Sequence, residues 1–314
     1  MTATALWCVS PGVAELRAGA MGDGVAVTTL FTGISRGTER LVAAGKVPPS
    51  EHDRMRAPFM EGAFPFPVKY GYCNVGRVTD GARAGQIVFT LAPHQTQFRV
   101  PEAFLTPLPA ALPPERAILA ANMETALNVL WDSGAGAGDR IAVVGAGVVG
   151  ALTATLAAGL PGADVTLIDI NPNRARLAAA LGLRFAAPDA APQDCDVVIH
   201  ASASAAGLNL ALTLAGQEAT VVEASWYGDT PVPAMLGGAF HSRRLRLIAS
   251  QVGHIPPARA PRWTYARRMA TALDLLTDAR FDALISGETA FADLPGVYGD
   301  ILAAPDTLCH RIRY

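Results

Sequence analysis

Charge is sparse in this 314-residue chain: Asp, Glu, Lys and Arg together make up 17%, and 27 acidic residues against 25 basic ones leave a formal net charge of −2. No basic run exceeds a pair, which argues against nucleic acid or an anionic membrane surface as a partner. Cysteine is rarer still. Cys8, Cys73, Cys195 and Cys309 lie far apart and form no Cys-x-x-Cys pair, so neither a disulfide framework nor a cysteine-rich zinc lobe is indicated, and reduced thiols fit a cytoplasmic setting. Long hydrophobic runs are also missing. The apolar stretch around 141–160 is broken by glycines, and Pro11 and Gly12 interrupt the N-terminus, which has no basic region leading into an apolar core. Neither an export signal nor a membrane span is expected. What is left is small-molecule chemistry.

Hydrophobic residues, by contrast, make up 51% of the chain. A chain of this length exceeds the size at which one core usually stops growing, so two domains are expected. Residues 1–120 read as short strands, among them Val25–Phe31, Gln86–Leu91 and Phe98–Val100, separated by Pro, Gly and Asp. Residues 45–67 carry Pro48, Pro49, Pro58, Pro65 and Pro67 and read as a long irregular loop of the kind that lines a site. From about 115 the pattern changes. Helical stretches begin at Pro113 and at Met123–Trp131, and apolar strands recur at 141–145, 164–169, 196–200, 219–224 and 245–250 with Ala/Leu-rich segments between several of them. Such alternation specifies a parallel sheet covered by helices, an α/β domain. The tail reads as a helix over Tyr265–Leu276, a short strand over 282–286 and a terminal strand at His310–Tyr314.

The most informative string is Arg140-Ile-Ala-Val-Val-Gly145-Ala-Gly147-Val148-Val149-Gly150. An apolar strand runs into Gly-x-Gly-x-x-Gly and then into a helix, the pattern of a dinucleotide site. Gly145 serves the tight turn, Gly147 the approach of backbone to a diphosphate, and Gly150 close helix–strand packing. A second strand ends at Asp169, 19 residues after Gly150, near the spacing at which a carboxylate accepts the ribose hydroxyls. Asp169 would repel a 2′-phosphate, so NAD is expected as cofactor rather than NADP, with Ile170 beside it. Two readings are open for Arg174: a phosphate partner, or a solvated helix residue. Ser202 and Ala203 after one strand, and Ser225, Trp226 and Tyr227 after the next, fall where open parallel sheets bind ligands. His200 reads as a hydrogen-bonded core histidine, and Gln251 borders either the nicotinamide or a subunit contact. The Arg262–Arg268 run reads as a solvated helix face.

A β-rich part, an inserted nucleotide domain and a short return segment together resemble the medium-chain dehydrogenase/reductase superfamily, the alcohol dehydrogenase type. Pro113-Pro-Glu-Arg-Ala with Glu124-Thr125-Ala-Leu, Val143–Gly150, and Phe281-Asp-Ala-Leu-Ile-Ser with Ala290-Phe-Ala-Asp-Leu carry the likeness. The resemblance implies a GroES-like catalytic domain over 1–121, a Rossmann doubly wound domain over 122–260 with Thr125 near the cofactor, a return segment over 261–314, and a homodimer. Zinc members of that family take their metal ligands from a cysteine, a Gly-His-Glu string and a cysteine or acid four residues before the threonine. Here Ser35, Tyr72 with Cys73, and Ala121 stand at those places, and a lone thiol is too few donors for catalytic zinc. No catalytic metal is expected. The Ser-x-Gly-Thr-Glu and Gly-Tyr strings are most similar to the branch containing bacteriochlorophyllide a dehydrogenase.

Without zinc, side-chain donors must handle charge on a carbonyl oxygen. Tyr72 is the candidate acid/base, with Lys69 three residues earlier as an ammonium that depresses its pKa; the plain alternative is a packed aromatic and a solvated lysine. Thr38 and Ser35 either bond the substrate oxygen or satisfy local backbone groups. Glu39 either relays protons or pairs with Arg36 or Arg40 at the surface. His94 is placed near the substrate by the resemblance, against the alternative of an exposed turn histidine. These residues point to a zinc-independent NAD(H) oxidoreductase that interconverts a secondary alcohol and a ketone on a small or ring-bearing molecule. The competing expectations are a quinone or enoyl C=C reductase and a non-catalytic dinucleotide-binding protein.

Overall fold

The computed structural model describes residues 3–314. In chain order the first stretch holds β1 (Ala3–Ser10), β2 (Val13–Gly19), β3 (Val25–Ser35), α1 (Arg36–Ala43), β4 (Glu61–Gly62), β5 (Val68–Lys69), β6 (Asn74–Val78), β7 (Ile87–Thr90), β8 (Gln97–Val100), β9 (Thr106–Pro107), α2 (Pro114–Ala117) and α3 (Ala120–Ser133). The middle holds β10 (Arg140–Val144), α4 (Val148–Ala158), β11 (Asp164–Ile168), α5 (Arg174–Leu181), β12 (Arg184–Ala186), β13 (Cys195–His200), α6 (Ala205–Leu214), β14 (Ala215–Glu223) and β15 (Arg246–Ala249). The chain closes with α7 (Tyr265–Leu275), β16 (Ile285–Ala290), α8 (Leu294–Ala303) and β17 (Cys309–Arg313). Among the described residues no helix is long and apolar enough to cross a membrane.

The chain divides into two units: residues 1–121 with 269–314, and residues 122–268. The second crossing falls at Arg268/Met269, so residues 261–268 belong to the inserted unit.

The first unit is β-rich, with a four-stranded sheet β2-β1-β5-β4 and a seven-stranded sheet β16-β17-β3-β6-β7-β9 in which β8 also pairs with β3. β3 is its spine, paired antiparallel with β17, β6 and β8. Val27, Val78, Val88, Phe98 and Val100 form a core beneath it. The return segment thus completes a sheet begun near the N-terminus. The expected strand at 282–286 is corrected: Ala279–Leu284 winds as a 3₁₀ turn and the strand starts at Ile285. Phe281 and Leu284, three apart, are both buried there, and eclipsed i, i+3 side chains are the 3₁₀ periodicity rather than the strand's.

The second unit is a six-stranded sheet in the order β12-β11-β10-β13-β14-β15, parallel at every pair. Order runs outward from β10 in both directions, so the chain reverses its winding at β10/β13, the place where open α/β sheets bind ligands. Val144, Ile168, Val198 and Val221 from four adjacent strands pack with Leu212 and Leu214 of α6. The central strands β10, β11 and β13 are mostly buried and need little polar alternation, which is why they read as nearly unbroken apolar runs.

Candidate active site

The glycine turn is built as its residue types require. Gly145 has φ +111°, a region that L side chains avoid, and a methyl there would lie 2.7 Å from the Ser202 amide nitrogen. A methyl on Gly150 would lie 1.9 Å from the Gly145 carbonyl oxygen, so the first turn of α4 sits directly against the loop. Gly147 faces open space, and a methyl there would find nothing within 4 Å. It is the N-cap of α4 and offers no side-chain hydrogen bond to the helix. The amides of Val148 and Val149 therefore begin a helix whose positive end has no side-chain acceptor, a ready anion site.

Asp169 follows β11 and ties this loop down. Its Oδ2 accepts the Ala146 amide at 2.7 Å and its Oδ1 the Asn171 amide at 2.8 Å. A carboxylate has about four acceptor positions, so capacity for two ribose hydroxyls is left. Ile170 beside it is 87% exposed. Arg174 is buried, which removes its solvated reading. Thr125 is half-buried on α3, and Gln251 is exposed and accepts the Gly253 amide at 2.6 Å.

At the ends of β13 and β14, Ala203 donates its amide to Ser225 Oγ at 3.0 Å. Tyr227 donates its hydroxyl to Glu223 Oε2 at 2.8 Å; burial and that bond push its own pKa up. Trp226 is half-buried. His200 is fully buried and hydrogen-bonded. Arg268 is buried rather than solvated: it donates to Glu124 Oε1 at 3.0 Å, Asn128 Oδ1 at 2.5 Å and the Val252 carbonyl at 2.6 Å.

In the β-rich unit, β3 runs directly into α1, so Ser35 is both the last strand residue and the helix N-cap. Tyr72 stands on the segment after β5, with Ser35 and Thr38 as neighbours whose hydroxyls act on its phenol. Gly71 before it has φ +117°, and a methyl there would lie 2.7 Å from the His94 ring, so glycine lets this segment pass over the imidazole. Burial pushes the Tyr72 phenol well above the ordinary tyrosine range, reinforced by Tyr70 and Cys73, while Ser35 and Thr38 only partly offset it.

Lys69 does not serve Tyr72. Its ammonium is 2% exposed, paired with Glu61 and hydrogen-bonded to Gln95 Oε1 at 2.6 Å. Strand alternation explains this: Lys69 pairs across β5 with Trp7 and Glu61, and its stem follows that register. Burial lowers its pKa, against Glu61, which raises it. The expected depression of the phenol by an adjacent ammonium is therefore corrected to its opposite.

Glu39 is not a surface ion-pair partner either. It is wholly buried; its Oε1 accepts the Ser35 amide at 2.8 Å and its Oε2 the Tyr298 hydroxyl at 2.8 Å. His94 is 1% exposed rather than a wet turn residue. Its Nε2 lies 3.0 Å from Glu39 Oε2 and its Nδ1 2.7 Å from Thr32 Oγ1, with the Tyr314 hydroxyl 3.3 Å beyond. Tyr298, Thr32 and Tyr314 carry no motif that would reveal them in the sequence. Glu39 and His94 are 55 positions apart, and only the pairing of β3 with β6 and β17 gathers the set.

Ser35, Tyr72 with Cys73, and Ala121 stand at the positions that the sequence resemblance assigns to metal ligands. Among the described residues no three His, Cys, Asp or Glu side chains converge as a metal site. A hydroxyl, a neutral phenol and a methyl group do not fit zinc.

No protein-family model matches this chain, and no curated protein matches it either. Solved structures do. A protein classed as a zinc-binding dehydrogenase from Sinorhizobium meliloti 1021, bound to NADP, has a TM-score of 0.78 at 20% identity over 100% of both chains. An alcohol dehydrogenase from E. coli CFT073 complexed with NADH gives 0.79 at 15% identity, covering 100% of this chain and 99% of that one. 2R,3R-butanediol dehydrogenase from Bacillus subtilis gives 0.77 at 16% identity, covering 99% of each. The fold is that of these dehydrogenases. A β-rich unit and a parallel-sheet Rossmann unit are common to all.

Proposed function

We propose that this chain is an NAD(H)-dependent oxidoreductase of the medium-chain dehydrogenase/reductase superfamily, from a branch without catalytic zinc, acting between a secondary alcohol and a ketone on a small or ring-bearing molecule. What supports the reading is Tyr72, with Ser35 and Thr38 as neighbours acting on its phenol, at the positions that the resemblance assigns to the metal ligands of zinc members. The Gly145–Gly150 turn, the uncapped start of α4 and Asp169 support dinucleotide binding in the other unit.

When bound, the nicotinamide supplies or accepts the hydride. The protein handles the oxygen. A phenol whose pKa is raised stays protonated at neutral pH, so Tyr72 donates a hydrogen bond to a ketone oxygen and then its proton to the forming alkoxide, with Ser35 and Thr38 sharing the charge. This favours the reduction direction. Glu39 holds the Ser35 amide and is fixed by Tyr298 and His94, so it positions the loop and does not touch the phenol; His94 positions Glu39.

Asp169 makes NAD(H) the preferred coenzyme, because a carboxylate on the ribose repels a 2′-phosphate. The relatives in this fold were seen with NADP and with NADH, so the fold alone leaves that choice to such residues. β15 is the outer strand of the parallel sheet, with Leu247 37% exposed; an open edge of this kind supports the homodimer implied by the resemblance.

Purified protein is to be titrated with NADH and NADPH, analysed for metal, and assayed against panels of ketones and enones. The expected results are tighter NADH binding, zinc well below one per chain, and turnover of ketones. Turnover of enones alone would replace the reading with C=C reduction, and binding without any turnover would make the chain a dinucleotide-binding protein only.

A further inference from the structure

The turn between β13 and α6 holds a three-residue assembly that hydride transfer does not use. His200 ends β13 and pairs in register with Glu223, the end of parallel neighbour β14. In-register residues of adjacent parallel strands project to the same face, so the two side chains meet: His200 Nδ1 lies 2.7 Å from Glu223 Oε2. On the far side of the ring, His200 Nε2 lies 2.6 Å from Ser202 Oγ.

The proton arrangement follows from Glu223. Burial pushes its carboxyl up, but the bonds from His200 and Ser225 more than reverse this and hold it below the usual glutamate range. An ionised carboxylate only accepts, so Nδ1 carries the proton and donates it. With Nδ1 as the donor to Glu223, Nε2 is the nitrogen that faces the Ser202 hydroxyl as its acceptor. Glu223 is itself clamped, since its Oε2 also accepts Tyr227 and its Oε1 accepts the Ser225 amide at 2.8 Å.

Access differs sharply across the three. His200 is fully buried, the Glu223 side chain is 16% exposed, and Ser202 is exposed. Ala203 has φ +51°, an unfavourable conformation for a residue with a Cβ, and the turn sets Ser202 at the start of α6. Gly207 leaves the room that this needs: a methyl there would lie 2.2 Å from Ser202 Oγ and 2.7 Å from His200 Nε2. The N-terminus of α6 beside it is the positive end of a ten-residue helix, which favours negative charge arising on or near the serine.

We propose that Ser202 is an activated nucleophile, with His200 as its base and Glu223 as the residue that positions His200, and that it accepts acyl groups from activated carboxylic esters. Ser202 Oγ attacks the ester carbonyl while its proton passes to His200 Nε2. The bond to the leaving alcohol breaks, and that alcohol takes the proton from Nε2. Water, deprotonated by the same nitrogen, then cleaves the serine ester, releasing the carboxylic acid and restoring Ser202. The step involves no change of oxidation state. Relay of this kind is recognised by geometry and roles rather than by residue order.

The full chain is treated with p-nitrophenyl acetate and, separately, with a fluorophosphonate probe. One adduct per chain is expected, on Ser202 by peptide mass spectrometry, and wild-type mapping decides the matter without any variant. Ser202→Ala should abolish the adduct, and His200→Gln should slow acylation by about 10³-fold. In Glu223→Gln the pH midpoint of labelling should move down, because the imidazolium loses its carboxylate; the other polar groups facing the ring are Tyr227, Ser225 and Ser202. An adduct at another residue, no adduct at all, or wild-type labelling in folded Ser202→Ala overturns the proposal. No nicotinamide enters the test, so its failure leaves the oxidoreductase reading standing.

Discussion

Arg116 of α2 and Asp282, 166 positions later, form a two-pronged ion pair with both N···O distances at 2.7 Å. Arg116 also donates to the carbonyls of Leu276 and Thr277 at 3.3 and 3.2 Å. One buried guanidinium thus ties the return segment to the unit that the chain left at residue 121.

Replacing Arg116 with Met should cost about 1–2 kcal/mol, because the Leu276 and Thr277 carbonyls lose their donor while the Asp282 side chain, 60% exposed, stays solvated. Thermal or denaturant unfolding measures this. The bond from Arg116 holds the Asp282 carboxyl below the usual aspartate range. A depressed carboxylate adds stability above its unfolded pKa, near 3.9, and loses it as pH falls through the lower folded value. Asp282→Asn should therefore lower Tm at pH 7 and lose that difference progressively below about pH 4; a difference that persists at pH 2 would refute the pair's role.

Gly150→Ala and Gly147→Ala should part company. The first puts a methyl 1.9 Å from a carbonyl oxygen and the second finds no atom within 4 Å. Gly150→Ala should lower Tm by several degrees and lose NADH binding. Gly147→Ala should melt like the wild type yet bind NADH at least about tenfold more weakly, since its methyl occupies the diphosphate's approach. Equal NADH affinity in Gly147→Ala would dismiss the turn as the cofactor site.

Tyr72→Phe should lower kcat/KM for ketone reduction by about 10²-fold with small effect on NADH affinity. Because burial holds the phenol above its ordinary range, the acid stays protonated throughout neutral and mildly alkaline pH. Reduction in the wild type should show no loss assignable to this residue below about pH 10. A fall centred near pH 7 that vanishes in Tyr72→Phe would contradict the raised pKa.

All four cysteines are buried. Burial pushes Cys8 and Cys309 up to about 12 and Cys195 to about 11, and it raises Cys73 as well. Thiolate is the reacting species, so a disulfide reagent at pH 8 should find almost no fast thiol in native protein and four after denaturation. A rapid native equivalent would show that one of these sites opens readily.

The parallel sheet was legible residue by residue, because Val143, Leu167, Ile199 and Val222 lie in apolar runs that hardly fit anything but buried strands. The hairpin β1–β2 carries no such signature, since the inner and outer positions of Ala3–Ser10 do not alternate cleanly. Lys69 shows the limit on side chains: three residues from Tyr72 in sequence, it follows the strand register to Glu61 instead.

By itself the sequence determined the parallel-sheet domain, the glycine turn and the carboxylate after β11, because these depend on local periodicity and on residue types that few conformations accept. Tertiary structure alone decided the protonation and partners of the polar groups. Whether Glu39 meets solvent or a buried histidine, whether Tyr72 is a phenol or a phenolate, and whether His200 finds a serine are questions of burial and strand register. Those are set by pairings tens to hundreds of residues apart, such as Ser35 with Cys309, and such pairings leave no trace in any short window of the chain.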